Sequence, residues 1–515
     1  MRRLLICGAR VLGFNDEYDQ PQVADILIED GAISSVAPNL SVEGREPGQR
    51  VNGLEVIDAH DRLAVPGFVN SHYHSHDTLL KGAFEALPLD TWAALALPPA
   101  FAPRSAAEIR VRTLVGAAEC LLRGITCVQD MVRLHPYAAE HFDVVLKAYQ
   151  EIGIRAVVAP HYNDLAGTNS AAFWDEEIPA EQQWRLSGPA ATFAKDADIM
   201  GLIRDTVLPR AKSAGIVRLG LGPSAPERCS EKLLEATAAL STEHDLPVFT
   251  HVAETRGKTL HARLKLAAHG HSHITFLGNC GLLGPNLAIA HAVWLDPAEI
   301  AAIASAGASV VLNPQGNLKT RSGIAPIGTY RAIGGNVALG CDNCSCNDSQ
   351  SMLQAMKTYA GLAAVELPFS DTPAAQDALH AATTAGARAL GMRNVGRLAS
   401  GMRGDVVLFR LDDMCFVPLN SAVRQLVFGD APPALETVVV DGRIVVAGGR
   451  LQTVDPDALR QEAEAYAREL RRELRDVTQR VTPLFAHIER AAQRAHATEW
   501  RLSAYATSAS TVPPR

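Results

Sequence analysis

Apolar residues in the central part of the chain gather in short continuous runs, separated by stretches with helical spacing. Eight runs read as buried strands: 63–69, 125–129, 156–159, 218–222, 248–251, 287–291, 309–313 and 337–342. Strands that are apolar on both faces belong in a parallel sheet covered by helices. Eight such units over about 330 residues predict a (β/α)8 TIM barrel, an α/β fold, with insertions. The longest insertion, residues 162–194, reads as an irregular loop with a short helix.

The two ends of the chain follow a different pattern. Asp30-Gly31 and Asp441-Gly442 each sit between two short apolar runs. Asp-Gly in that setting signals a two-residue hairpin, because both central residues need positive φ. Residues 404–409 add a further short strand. The ends are expected to build one small β-domain, residues 1–64 with 396–452, flanking a barrel at 65–395. Asp455-Pro456 then starts a helix, with a capping acid followed by proline at the first helical position. Leu459, Ala463, Tyr466, Leu470, Leu474 and Val477 recur at three- and four-residue steps, so helices over 455–497, interrupted at Pro483, are expected to pack on the barrel. Residues 498–515 are expected to form a mobile tail.

Composition narrows the partners. The net charge is −8 and no long basic run exists, which weighs against nucleic acid or an anionic membrane. No apolar run reaches the length of a membrane span. The nine cysteines are scattered, and no secretory signal is evident, which points to a reduced, cytoplasmic protein. Cys341, Cys344 and Cys346 lie close together but lack the second CxxC pair of a structural zinc site.

Four segments carry chemistry, and each follows an apolar run: His72-Tyr73-His74, His251-Val252-Ala253-Glu254, His291 and Asp342. Residues i and i+2 of a strand point to one side, so His72 and His74 can both face a barrel axis at its catalytic end. Three imidazoles and one carboxylate suffice for one divalent ion, with a Glu and a His to spare. A buried His or Asp is costly unless paired or coordinated, so polar residues recurring at strand ends are not ordinary core.

With "VPGFVNSHYH", "ALPLDTW", "VFTHVAETR", "LGNCGLLGPNLAIAHAVWL", "VLNPQGNLKTRSGIAPI", "VALGCDN" and "DGRIVVAGGRL", the chain resembles the amidohydrolase superfamily, in its deaminase and chlorohydrolase branch. The resemblance implies a metal-dependent (β/α)8 barrel beside a β-sandwich built from both chain ends. It implies one divalent metal, zinc or ferrous iron, held by His72, His74, His251 and Asp342. Glu254 and His291 would then be the catalytic pair, with Asp342 also accepting a proton from the attacking water. The expected activity is hydrolytic deamination of a nitrogen heterocycle. The alternatives are hydrolysis of an amide, urea or carbamate, displacement of chloride on the same fold, or a non-catalytic binding protein. Relatives of this kind lead us to expect a homo-oligomer acting on a small molecule.

Some residues depart from the family pattern. Adenosine-type deaminases often carry a His after Gly-Pro on the fourth strand, whereas Gly222-Pro223 is followed here by Ser224; this argues against a nucleoside or S-adenosylhomocysteine substrate. Asn343 stands after Asp342 where Gly is common, so the loop there is altered. Glu85, Trp92, His161 and Asn343 are the candidate substrate contacts. His76 completes an HxHxH string, but no Lys suited to bridge a second metal is evident. His269, His271 and His273 read as a solvated loop or an interface patch.

Overall fold

A computed structural model of the chain describes residues 2–42, 53–135, 137–165, 167, 171–186, 199–212, 215–366, 375–429, 431–500 and 502–505. Two all-parallel sheets occupy its centre. One runs Gly222–Pro223, Arg155–Tyr162, Ile125–Val132, Phe68–His74, Asp342–Asn343, with Val217–Leu219 also on Arg155–Tyr162. The other runs Val248–Val252, Leu287–His291, Ser309–Leu312, Asn336–Leu339. Every residue of Phe68–His74, Ile125–Val132 and Arg155–Tyr162 is buried, as expected for strands covered on both faces.

The sheets meet at both edges. On one side Leu221 bridges Val248, and Phe249 N donates to Leu221 O at 2.8 Å. On the other, the chain leaves the four-stranded sheet at Leu339, passes Gly340 and Cys341, and pairs with Tyr73 and His74 through Asp342 and Asn343. Gly340 permits this approach. A Cβ there would lie 2.7 Å from His72 Cβ and 2.5 Å from Asn313 Oδ1.

Two of the expected strands are divided. The run at 63–69 splits at Gly67: Arg62–Pro66 pairs antiparallel with Val406–Arg410, and Phe68–His74 opens the parallel sheet. A continuous apolar pattern does not reveal that its two halves serve different sheets. The run at 218–222 becomes Val217–Leu219 and Gly222–Pro223, separated at Gly220 and Leu221. Around residues 162–194, the described parts hold a short helix at Trp174–Glu177 and a 3-10 turn at Ala180–Leu186.

Both chain ends contribute to one nine-stranded sheet, so pairing does not separate it into the two layers of the expected sandwich. The Asp-Gly hairpins form as expected, with φ of 45° and 81° at Asp30 and Gly31, and 53° and 70° at Asp441 and Gly442. Arg155, on a parallel strand, ties this sheet to the centre. Its guanidinium donates to both Asp405 carboxylate oxygens at 3.0 Å and to Asp441 Oδ1 at 2.9 Å.

The helix Pro456–Val481 starts where Asp455 accepts from the Asp457 and Ala458 amides. Leu470, Val477 and Val481 pack with Leu80, Leu95 and Phe101. The helix Phe485–Ala497 follows a turn at Thr482–Leu484. Residues 501 and 506–515 of the expected mobile tail lie outside the described residues. The described part is anchored, because Ala504 is buried and its carbonyl accepts from Ile324 N at 2.6 Å. No described helix is long and apolar enough to cross a membrane.

Candidate metal and catalytic centre

Strand ends bring six chemistry-bearing side chains to one place. His72 and His74 close Phe68–His74, His251 lies near the end of Val248–Val252, His291 ends Leu287–His291, and Asp342 starts the two-residue strand after Gly340–Cys341. Glu254 follows two residues beyond Val248–Val252. All six are buried, from 1 % exposed at His291 to 7 % at His251. His72 Nε2 and His74 Nε2 face Asp342 Oδ1 at 3.4 and 3.5 Å. His74 Nε2 and His251 Nε2 are 3.4 Å apart. His291 Nε2 lies 3.4 Å from Glu254 Oε1 and 4.0 Å from Asp342 Oδ2.

Backbone geometry aims these groups. His291 and Asp342 take φ of 71° and 63°, a left-handed conformation uncommon outside glycine. Such strain concentrates where surrounding structure fixes a functional side chain. The turn after His74 is braced by Asp130, which accepts from Ser75 N at 2.9 Å and from Tyr149 OH at 2.7 Å. Asp77 accepts from the Cys344 and Ser345 amides at 3.1 and 3.0 Å, fastening that turn to the loop after Asp342.

The donor set fits a divalent cation. His74 Nδ1 donates to Met131 O at 2.7 Å and His251 Nδ1 to Ser224 O at 2.6 Å. Both imidazoles therefore present an unprotonated Nε2 inward, the usual arrangement of a metal-binding histidine. His72 Nε2 and His291 Nε2 are buried with no hydrogen-bond partner, a costly state that a cation would relieve. Among the described residues, the groupings able to hold a metal are His72/His74/Asp342, His72/His251/His291 and Glu254/His291/Asp342, with ligand atoms within 4.8 Å of one another. His291 thus lies within ligand range as well as beside Glu254.

Electrostatics agree. Burial, with His72 nearby, pushes His74 down to about 3, and burial holds His251 well below its ordinary value. These two imidazoles are therefore neutral, as ligands must be. Burial pushes the Asp342 carboxyl up, but His72 and the other imidazoles more than offset this and hold it well below the usual carboxylate range. Glu254 is balanced similarly: burial raises it, His291 and Lys258 lower it, and the net direction is down.

The remaining candidates are placed unevenly. His161 is buried beside the centre, its ring 6.1 Å from His74 and 5.8 Å from His251, and its Nε2 lies 2.6 Å from Ser224 Oγ. Asn343 is buried, with Nδ2 3.4 Å from His76 Nε2. His76 takes part in none of the metal-capable groupings. Trp92 is buried and donates to Ser345 Oγ at 3.0 Å, so it packs on the loop after Asp342. Glu85 is exposed. His271 is exposed and His269 half-buried, but His273 is buried at the start of a helix, unlike the expected solvated loop.

Sequence reasoning missed several supporting groups. Lys258 pairs with Glu254 Oε2, and both are buried. Its i,i+4 spacing from Glu254 at the start of a helix was the available signal. Asn317 accepts from His291 Nδ1 at 2.9 Å. Nothing local marked that residue, because the pairing joins a strand end to a short helix, Pro314–Lys319, that are distant in sequence.

Residues 63–445 match the amidohydrolase family. A 5'-deoxyadenosine deaminase of Methanothermobacter thermautotrophicus is 32% identical over 447 residues, 86% of this chain and 94% of that protein. A 5-methylthioadenosine/S-adenosylhomocysteine deaminase of Caldicellulosiruptor saccharolyticus is 29% identical over 462 residues, 90% of this chain and 97% of that protein. Among solved structures, an adenosine deaminase from Xanthomonas campestris with bound zinc superposes with a TM-score of 0.75 at 26% identity, covering 92% of this chain and 98% of that one. An atrazine chlorohydrolase from Arthrobacter aurescens complexed with zinc gives 0.73 at 25% identity, covering 90% and 100%. The extent of the family match and the identity to full-length relatives lead to one conclusion: this chain belongs to the amidohydrolase family.

Proposed function

We propose that this amidohydrolase is a hydrolytic deaminase that releases ammonia from an amino-substituted nitrogen heterocycle, with adenine nucleosides as the first substrates to test. The observation that carries this reading is the convergence of His72, His74, His251, Asp342, Glu254 and His291, with buried, unpartnered Nε2 atoms on His72 and His291. On this reading the two parallel sheets form one closed eight-stranded barrel spanning residues 65–395. The Leu221–Val248 bridge and the pairing of Asp342 and Asn343 with Tyr73 and His74 support closure. A homo-oligomer in the cytoplasm completes the proposal.

His72, His74, His251 and Asp342 would hold the metal, for which zinc or ferrous iron suits the N/O donors. Bound there, a divalent ion lowers the pKa of water from about 16 towards about 7. His291 donates its Nδ1 proton to Asn317, so Nε2 is left to accept a hydrogen bond from the attacking water. The Asp342 carboxylate takes up the proton that the water gives up. Glu254 Oε1, ionised at rest, takes the water's other proton and carries it to the ring nitrogen, while Lys258 engages Oε2 and fixes the carboxylate plane. A C–O bond forms at the amino-bearing carbon, the C–N bond breaks, and the proton on Asp342 leaves with ammonia. Acid–base assistance of this type is worth roughly 10²–10⁴-fold.

The relatives' names point to nucleosides, whereas Ser224 in place of a His argues the other way. His161 reconciles the two in this reading. Its Nε2 meets Ser224 Oγ, so an imidazole still stands at that rim. Ammonia release from adenosine, 5'-deoxyadenosine, 5'-methylthioadenosine and S-adenosylhomocysteine tests the proposal, with aminotriazines, chlorotriazines and ureas alongside. Ammonia from an adenine nucleoside at a kcat/KM above about 10⁴ M⁻¹s⁻¹ is the expected result. Chloride or amine release without deamination would establish the chlorohydrolase or amide-hydrolase alternative. A metal-loaded protein inert to the whole panel would favour a binding protein.

A further inference from the structure

A cleft of about 470 Å³, including space open to solvent, borders the segment that directly follows Glu254. Its inner side is formed by Thr255 and Arg256, directly after Glu254, and by Thr320. Its outer side comes from the far end of the chain: Ala492, His496 and Tyr505. The family match ends at residue 445, so this outer wall lies outside the matched residues.

The wall is tied to the catalytic rim. Arg256 is 8 % exposed, yet among the described residues its guanidinium makes no ion pair. It donates instead to Ala495 O at 2.9 Å, Thr498 O at 2.6 Å and Leu502 O at 3.2 Å. Ala495 and Thr498 lie at the C-terminal end of the helix Phe485–Ala497, where unpaired carbonyls and the helix dipole favour a cation. The same guanidinium lies 5.2 Å from the Trp500 ring and 5.7 Å from Trp294. Trp294, three residues after His291, meets the Tyr505 ring edge-on at 5.1 Å and donates to Ser322 O at 2.7 Å. Arg256 and Trp294 thus couple the C-terminal segment to the two loops that carry Glu254 and His291. With three of its five N–H donors spent on carbonyls of this segment and two indoles beside it, the guanidinium's role is to position the segment.

We infer that the described C-terminal residues from Phe485 to Tyr505 are a specificity element: they wall the cleft that receives the part of the substrate remote from the reacting carbon, and so set its size limit. This inference rests on reading the centre as a hydrolase acting on substituted heterocycles. Tyr505 narrows the cleft from outside, and Ala492 leaves room that a larger side chain would fill.

Two substitutions test the inference in opposite directions. Tyr505→Ala opens the wall, and Ala492→Phe narrows it. Tyr505 is 36 % exposed, so its loss should leave the melting temperature near that of the parent. The first readout is the ratio of kcat/KM for a bulky substrate, S-adenosylhomocysteine, to that for adenosine. It should rise about tenfold in Tyr505→Ala and fall about tenfold in Ala492→Phe, as expected when pocket space alone is altered. The second readout needs no substrate: the rate at which zinc-loaded protein loses zinc to excess EDTA should rise in Tyr505→Ala and fall in Ala492→Phe. A wild-type protein inert to every heterocycle would sink the hydrolase reading, and the zinc-loss rates would still decide whether the segment walls the centre. Unchanged ratios and unchanged zinc-loss rates in both variants would overturn the inference.

Discussion

On the proposed roles, Glu254 is the side chain whose substitution best separates chemistry from metal holding. Its Oε1 faces His291 Nε2 at 3.4 Å, while Lys258 holds Oε2. Glu254→Gln keeps the shape and removes the transferable proton. We expect this variant to fold and to lose roughly 10²–10⁴-fold in kcat, measured as ammonia release on the best substrate. Full activity would show that the proton comes from elsewhere. Lys258→Met should lower kcat about tenfold with little change in KM, because the carboxylate loses its fixed orientation, a cost of about 1.4 kcal/mol in the barrier. Lys258→Arg should restore part of that loss, an outcome that a merely structural role would not give. The six side chains that converge in the centre were legible as a group from the chain alone, since each follows an apolar run and a strand end defines where its side chain points. Asn317 and Asp77 were not. Each acts across a contact between elements distant in sequence, which only the folded chain creates.

At the level of elements, the alternation of apolar runs and helices revealed the parallel strands, but not their pairing. Gly67 divides one apolar run between two sheets because Arg62–Pro66 finds Val406–Arg410 and Phe68–His74 finds Ile125–Val132. Periodicity carries no information about partners so distant in sequence. The hairpins were legible because Asp-Gly encodes its own backbone conformation. The junction between the terminal sheet and the central strands rests on Arg155, whose side chain is 8 % exposed, against Asp405 at 2 %. Arg155→Ala would leave the Asp405 carboxylate buried and unpaired. Removal of one partner from such a pair destabilises by about 3–5 kcal/mol, so the urea midpoint should fall markedly. An unchanged midpoint would mean that the two sheets are held together by apolar packing alone.

For the whole molecule, the buried histidines link stability to pH. His74 titrates near 3 in the folded chain, against an ordinary value of 6.5. Below pH 6.5 the unfolded chain binds a proton at this residue that the folded chain does not. Stability of the metal-free protein should therefore fall as pH drops from 6.5 towards 3, and the urea midpoint should be lower at pH 5 than at pH 7. An equal or higher midpoint at pH 5 would contradict the neutral imidazoles on which the site depends. The account as a whole is tested most directly by the metal-to-chain ratio of the purified protein, measured beside Glu254→Gln and His72→Ala. The arrangement of side chains predicts one divalent ion per chain in the parent and in Glu254→Gln, and almost none in His72→Ala. Equal metal in all three, or none in the parent after zinc reconstitution, would contradict it.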